Sequence, residues 1–135
     1  MSTITKKINP VALRIPTKAY SQAIQIALGN AKLLFVTGQL PQDAEGNVVA
    51  PGDMQKQAEV VFSRIKVILN EAGMGFDDVV KMQIFVKDMK QSKIISNLRD
   101  VYMKNSCPAS TLVEVSGFVK DGCLLEIEVI AAASL

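Results

Sequence analysis

Around Gly73 the spacing of apolar residues changes from one period to another. Met54, Ala58, Val61, Phe62, Ile65, Ile68, Leu69 and Ala72 recur every three or four residues, whereas Val80, Met82, Ile84 and Val86 alternate with Lys81, Gln83, Phe85 and Lys87. The first pattern is an amphipathic helix of about five turns and the second a strand. A chain that makes this switch across one glycine must lay a helix against a sheet. Asp53 stands where an N-cap is wanted and Gly73 where a helix stops. The polar residues Gln55, Lys56, Glu59, Ser63, Arg64, Lys66 and Asn70 fall off the apolar stripe.

Ile94, Leu98, Val101 and Tyr102 repeat at helical spacing between 91 and 105, and Ser106-Cys107-Pro108 ends that pattern. Segments 21–27 and 33–40, joined at Gly29-Asn30, read as a hairpin. Residues 41–52 are a loop or a short ribbon, with a turn at Glu45-Gly46-Asn47. Thr111, Val113 and Val115, then Leu125, Ile127, Val129 and Ala131, mark two closing strands around Lys120-Asp121-Gly122. These two are expected to be adjacent and antiparallel. Both helices are expected on one face of a single mixed sheet. The opposite face also carries apolar residues, and further copies of the chain are its simplest cover.

The 135 residues suit one domain, 1–135. Residues 1–9 carry Lys6 and Lys7 without an apolar run behind them, so neither a signal peptide nor a membrane span is expected, and a cytoplasmic location is. A net charge of +2 disfavours a polyanion as partner. Lys81, Lys87, Lys90, Lys93, Arg99 and Lys104 outnumber Asp88 and Asp100, but with only Phe85 and Tyr102 among them they read as a solvated strand and helix face, not a base-stacking surface. The chain has no histidine, which removes Ser/His and Cys/His pairs, histidine metal sites and the commonest general base. Chemistry here falls to carboxylates, Lys, hydroxyls or backbone. Cys107 and Cys123 have no histidine to activate them and read as reduced thiols.

Glu126 and Glu128 project from one face of their strand, which is either simply solvated or holds a carboxylate in a cleft to orient a water or take a proton. Thr37-Gly38-Gln39 ends an apolar strand, where glycine either serves the strand exit or lets backbone approach a ligand. Tyr20 either lines a pocket or caps the sheet edge.

Taken together, Tyr20-Ser21-Gln22, the run from Phe35 to Pro41, the strand from Asp78 to Asp88, Pro108-Ala109 with Val113-Glu114-Val115, and the run from Glu126 to Ala131 resemble the Rid family, also called YjgF, over about residues 18–132. The resemblance implies an α+β, chorismate-mutase-like fold: a mixed six-stranded sheet with two helices on one face, assembled as a homotrimer with ligand clefts between subunits. It implies binding of a small metabolite and hydrolysis of reactive enamines or imines, such as 2-imino acids, to a carbonyl compound and ammonia, with no metal or cofactor. By position, Glu126 would orient the attacking water, and Tyr20, Thr37, Gly38, Ser96, Ser110 and Leu112 would line the cleft.

Three sites, four positions in all, depart from the family pattern. Ser110 follows Pro108-Ala109 where the deaminases carry an arginine that grips the substrate carboxylate. Lys18-Ala19 replaces a Gly-Pro, and Ser96 stands where an asparagine is common. Of the cations available to compensate, Arg14 and Lys18 flank the segment leading to Tyr20, while Arg64 and Arg99 fall within helices. Arg14 or Lys18 is therefore the expected replacement. A non-catalytic regulatory trimer using the same clefts is the alternative, and RNA cleavage or inhibition of translation, attached to several relatives, ranks last.

Overall fold

A computed structural model describes residues 4–135, so the first three residues of the segment 1–9 lie outside it. Eight elements follow one another: β1 (Thr5–Ile8), β2 (Ala23–Leu28), β3 (Ala31–Gln39), α1 (Met54–Glu71), β4 (Val79–Val86), α2 (Ser92–Tyr102), β5 (Ala109–Glu114) and β6 (Leu125–Ser134). The six strands form one mixed sheet in the order β1-β2-β3-β6-β4-β5. Only β4 and β5 pair in parallel; the other neighbours are antiparallel.

Asp53 caps α1 by accepting from Lys56 N–H at 3.1 Å. At the other end Gly73 takes φ +70°, Gly73 N–H bonds Asn70 O at 3.0 Å and Met74 N–H bonds Leu69 O at 2.9 Å. This Schellman arrangement satisfies the last carbonyls of the helix and requires the glycine. α1 packs on β3 and β6, and α2 packs on α1. Ala58, Phe62, Ile65 and Leu69 from α1, Ile95 from α2 and the strand residues Leu34, Val36, Met82, Ile84, Ile127 and Val129 form the buried core.

The two closing strands are not neighbours. β5 lies parallel to β4 at the sheet edge, and β6 inserts between β3 and β4. The crossover through α2 returns the chain in its original direction, which forces β5 to be parallel to β4. The depth of each strand then follows from its residues. Leu125, Ile127, Val129 and Ala131 are all buried under the helices, as a central strand requires, whereas Ala109, Ser110, Thr111 and Glu114 are exposed, as an edge tolerates. Strand β1, with Lys6 and Lys7 at its centre, carries too little alternation to be read as a strand and survives as a short edge. The ribbon at 41–52 amounts to one bridge, Gln42 with Val48.

The face away from the helices carries Ile24, Ile26, Leu33, Phe35, Phe85, Val113 and Ile130, none of them buried, with Phe35 and Val113 exposed. Among the described residues no helix is long and apolar enough to cross a membrane.

Candidate functional site

β3 and β6 fall out of register once. Val36 pairs with Val129 and Gln39 with Ile127, so Thr37 and Gly38 together oppose Glu128. This bulge re-aims the strand at the point where sequence reading singled out Thr37 and Gly38. Glu126, paired with Phe85 on its other side, lays its carboxylate across Gly38. A Cβ at Gly38 would overlap Glu126 Oε2 and come within 2.8 Å of Cδ. The close approach that glycine allows is therefore made by the protein's own carboxylate. Burial, and then the neighbouring charge of Glu128, raise the Glu126 pKa above the ordinary carboxylate value.

Thr37 donates its hydroxyl hydrogen to Ser21 O at 2.6 Å, which leaves the oxygen free to accept. Thr37, Gly38, Glu126 and Tyr20 line one cavity of about 450 Å³, together with Arg14, Lys18 and Lys120. Two of these cations are turned to the 45–46 turn, where Arg14 Nη1 donates to Glu45 O at 3.4 Å and Lys120 Nζ to Gly46 O. Tyr20 is 56% exposed, so it walls the cavity rather than sealing the sheet edge. On the far side Glu126, Gly38 and Glu128 line a second cavity, of about 240 Å³, with Phe85, Phe118 and Val115. One carboxylate is shared by a cavity that carries cations and one that carries two phenylalanines.

The bulge rests on a buried polar chain. Arg64, 4% exposed, donates through Nε to Gln39 Oε1 at 3.2 Å and through Nη1 to Gln42 O at 3.1 Å. Gln39 Nε2 donates to Gln22 Oε1 at 3.0 Å and to Thr37 O at 2.8 Å, and Gln22 Nε2 donates to Arg14 O at 3.1 Å. Burial lowers the Arg64 pKa, opposed by the fields of Tyr20 and Asp43. Arg64 therefore does not lie on a polar face of α1, as its place off the apolar stripe suggested; it turns inward because Gln39 offers a buried acceptor. Replacing Gln39 by Leu leaves Arg64 Nε and Gln22 Oε1 without these partners, and we expect it to lower unfolding stability by about 1–3 kcal/mol in urea titration. A loss below about 0.5 kcal/mol would show that the chain does not hold the bulge.

Ser96, Ser110 and Leu112 lie elsewhere. Ser110 and Leu112 pair with Met82 and Ile84 at the β5 edge, on the helix face, and Leu112 packs against the core. Ser96 is half-buried on α2, and like Leu112 it lines none of the cavities described here. Ser110 opens instead on a separate cavity of about 370 Å³ lined by Arg99, Asp100, Met103, Lys104, Cys107 and Pro108. Arg99, set aside because it falls within a helix, reaches Ser110: Nη1 lies 3.4 Å from Oγ. One chain therefore divides the predicted residues into two groups, Tyr20, Thr37, Gly38 and Glu126 on the bulge, and Ser96, Ser110 and Leu112 near α2. Lys120, Gln22, Gln39 and Arg99 had no separate signal in the sequence; their roles come from long-range packing.

Cys123 is buried, with its thiol pKa raised chiefly by burial, and Cys107 is exposed at φ +44°. Among the described residues no three His, Cys, Asp or Glu side chains gather as metal ligands.

The family model described as Endoribonuclease L-PSP matches residues 11–133. A protein of Pyrococcus abyssi named as a RutC family protein is 40% identical over 86% of this chain and 87% of its own length. The mouse 2-iminobutanoate/2-iminopropanoate deaminase is 28% identical over 96% of this chain and 93% of its own. Among solved structures, the Rid family protein YyfA of Yersinia pestis, described as of unknown function, superposes with a TM-score of 0.84 at 32% identity, covering 96% of this chain and 99% of that one. TdcF of Escherichia coli, solved with bound serine, superposes with a TM-score of 0.77 at 27% identity over 96% of this chain and 99% of that one. With matches that run through the bulge, both helices and the closing strand, the chain belongs to the Rid/YjgF family.

Proposed function

We propose that the protein hydrolyses small reactive imines, 2-imino acids among them, in clefts that a second copy of the chain completes. The observation that carries this reading is the Glu126 carboxylate held across Gly38 at the boundary of two cavities, half-buried and with a raised pKa. A protonated C=N carbon is already electrophilic, so positioning supplies most of what the protein must add. Glu126 takes a proton from water as its oxygen attacks that carbon. The C=N bond becomes a C–N single bond in a carbinolamine, Glu126 passes the proton to the nitrogen, and the C–N bond breaks as the hydroxyl proton returns to Glu126. Imine and water become carbonyl compound and ammonia, in balance and without redox change. Thr37 Oγ1 is set to accept from the iminium N–H.

The names of the deaminase relatives and the serine bound to TdcF support a small amino-acid-derived ligand. The split of site residues between two regions of one chain, and the uncovered apolar face on the side of the sheet away from the helices, support assembly, and a homotrimer is the form we expect. Sedimentation equilibrium should report three times 14.6 kDa, and a monomer would overturn the shared cleft. The activity is tested by generating 2-iminobutanoate from threonine with a pyridoxal-phosphate dehydratase: faster release of 2-oxobutanoate supports the reading and an unchanged rate overturns it. A nuclease reading rests on names alone, the family model's description and the endoribonuclease names given to two of the solved structures. The chain has no histidine to serve as its base.

A further inference from the structure

We propose that Arg99, reaching from α2 over Ser110, is the group that recognises the carboxylate of an acidic ligand; the inference deepens the imine-hydrolase reading and rests on it for the substrate class. Three observations carry it. The cavity beneath α2 presents two cations, Arg99 and Lys104, against one acid, Asp100. Its walls, Met103 and Pro108, are apolar, which strengthens a charge-assisted bond made inside. Ser110 Oγ accepts from Arg99 Nη1 at 3.4 Å, so the serine's own hydrogen remains free to donate to a bound oxygen. A small side chain at 110 is what lets the guanidinium come down onto the β5 edge.

The remaining edge of Arg99 is held by its own helix. Nε and Nη2 both donate to Asp100 Oδ1, at 3.1 and 3.0 Å, and the Asp100 side chain is 67% exposed. An exposed pair of this kind contributes little and exchanges readily. A planar carboxylate presents two oxygens to the same edge and can displace the single Asp100 oxygen. Asp100 thus acts as an internal competitor, which predicts that its removal tightens binding. In one chain Arg99 and Glu126 line different cavities, so both act on one ligand only where the Glu126 cavity of a second copy faces Arg99.

The test measures binding of 2-oxobutanoate, a stable carboxylate probe, to the wild-type protein and to Arg99→Ala, Arg99→Lys and Asp100→Asn. It also measures turnover of 2-iminobutanoate and of an imine that lacks a carboxylate. We expect Arg99→Ala to weaken the probe about 10- to 100-fold, Arg99→Lys to restore part of the loss, and Asp100→Asn to tighten binding several-fold. The ratio of kcat/KM for the acidic over the uncharged imine should fall at least about 10-fold in Arg99→Ala. No binding by the wild type, undiminished binding in Arg99→Ala, or loss of binding in Arg14→Ala or Lys18→Ala instead would each overturn the proposal. If neither imine is turned over by the wild type, the hydrolase reading fails, and the binding series still decides whether Arg99 holds a carboxylate.

Discussion

Replacing Glu126 by Gln is expected to lower turnover of 2-iminobutanoate by about 10²- to 10⁴-fold, because the amide keeps the shape of the carboxylate but cannot accept the water's proton. The pH profile should confirm which group is lost. Burial and Glu128 raise the Glu126 pKa, so the active carboxylate form appears at a higher pH than for an ordinary Glu, and wild-type activity rises with pH through that raised value. Glu128→Gln removes one of the two causes and should move the rise to lower pH. Stability changes in the opposite sense. With its pKa higher in the folded than in the unfolded state, Glu126 favours folding least once pH has risen through the folded value. Glu126→Gln should therefore gain stability relative to wild type above that pH, and this gain should vanish below the unfolded value. A Glu126→Gln variant with full activity would remove Glu126 from the chemistry, and an unchanged pH profile in Glu128→Gln would leave burial as the cause of the raised pKa.

The second large effect is expected at Gly38. An alanine methyl there would overlap Glu126 Oε2, the far end of a flexible side chain, while the backbone around it stays supported by the Arg64–Gln39 contact. The carboxylate must swing away and the fold need not. Displacing a catalytic group by about 1 Å costs on the order of 10²-fold, so Gly38→Ala should lose roughly that in kcat/KM with a melting temperature close to wild type. Activity within twofold of wild type would mean that the seat on Gly38 does not position Glu126. Equal loss of stability and activity would mean that the glycine serves only the bulge.

Where a period or a cap decides local structure, the chain is legible. Asp53, Gly73 and the Gly29-Asn30 turn sit where their chemistry predicts, and α1 is bounded by its own cap and stop. Order in the sheet is less accessible, because β5 and β6 carry similar alternation and only burial distinguishes an edge from a centre. That is why the two were expected side by side and are separated by β4. Glu126, Thr37, Gly38 and Tyr20 are each ambiguous alone and are grouped in the sequence only by the family resemblance; the fold brings them to one cavity through a bulge that has no one-dimensional signature. Ser110 and Leu112 follow β5 to the other face. Arg64 and Arg99 show the limit most directly: their place within helices set both aside as site residues, yet one is drawn inward by Gln39 and the other reaches across to Ser110. In each case the deciding partner is more than ten residues away in the chain.

The most direct test is a competition for 2-iminobutanoate released by the dehydratase in the presence of semicarbazide, which traps the imine before it hydrolyses. With increasing wild-type protein, semicarbazone should fall and 2-oxobutanoate rise in equal measure, and Glu126→Gln at the same concentrations should leave the partition where the trap alone sets it. A partition that does not move with wild-type protein, or that moves equally with Glu126→Gln, would contradict imine hydrolysis by Glu126.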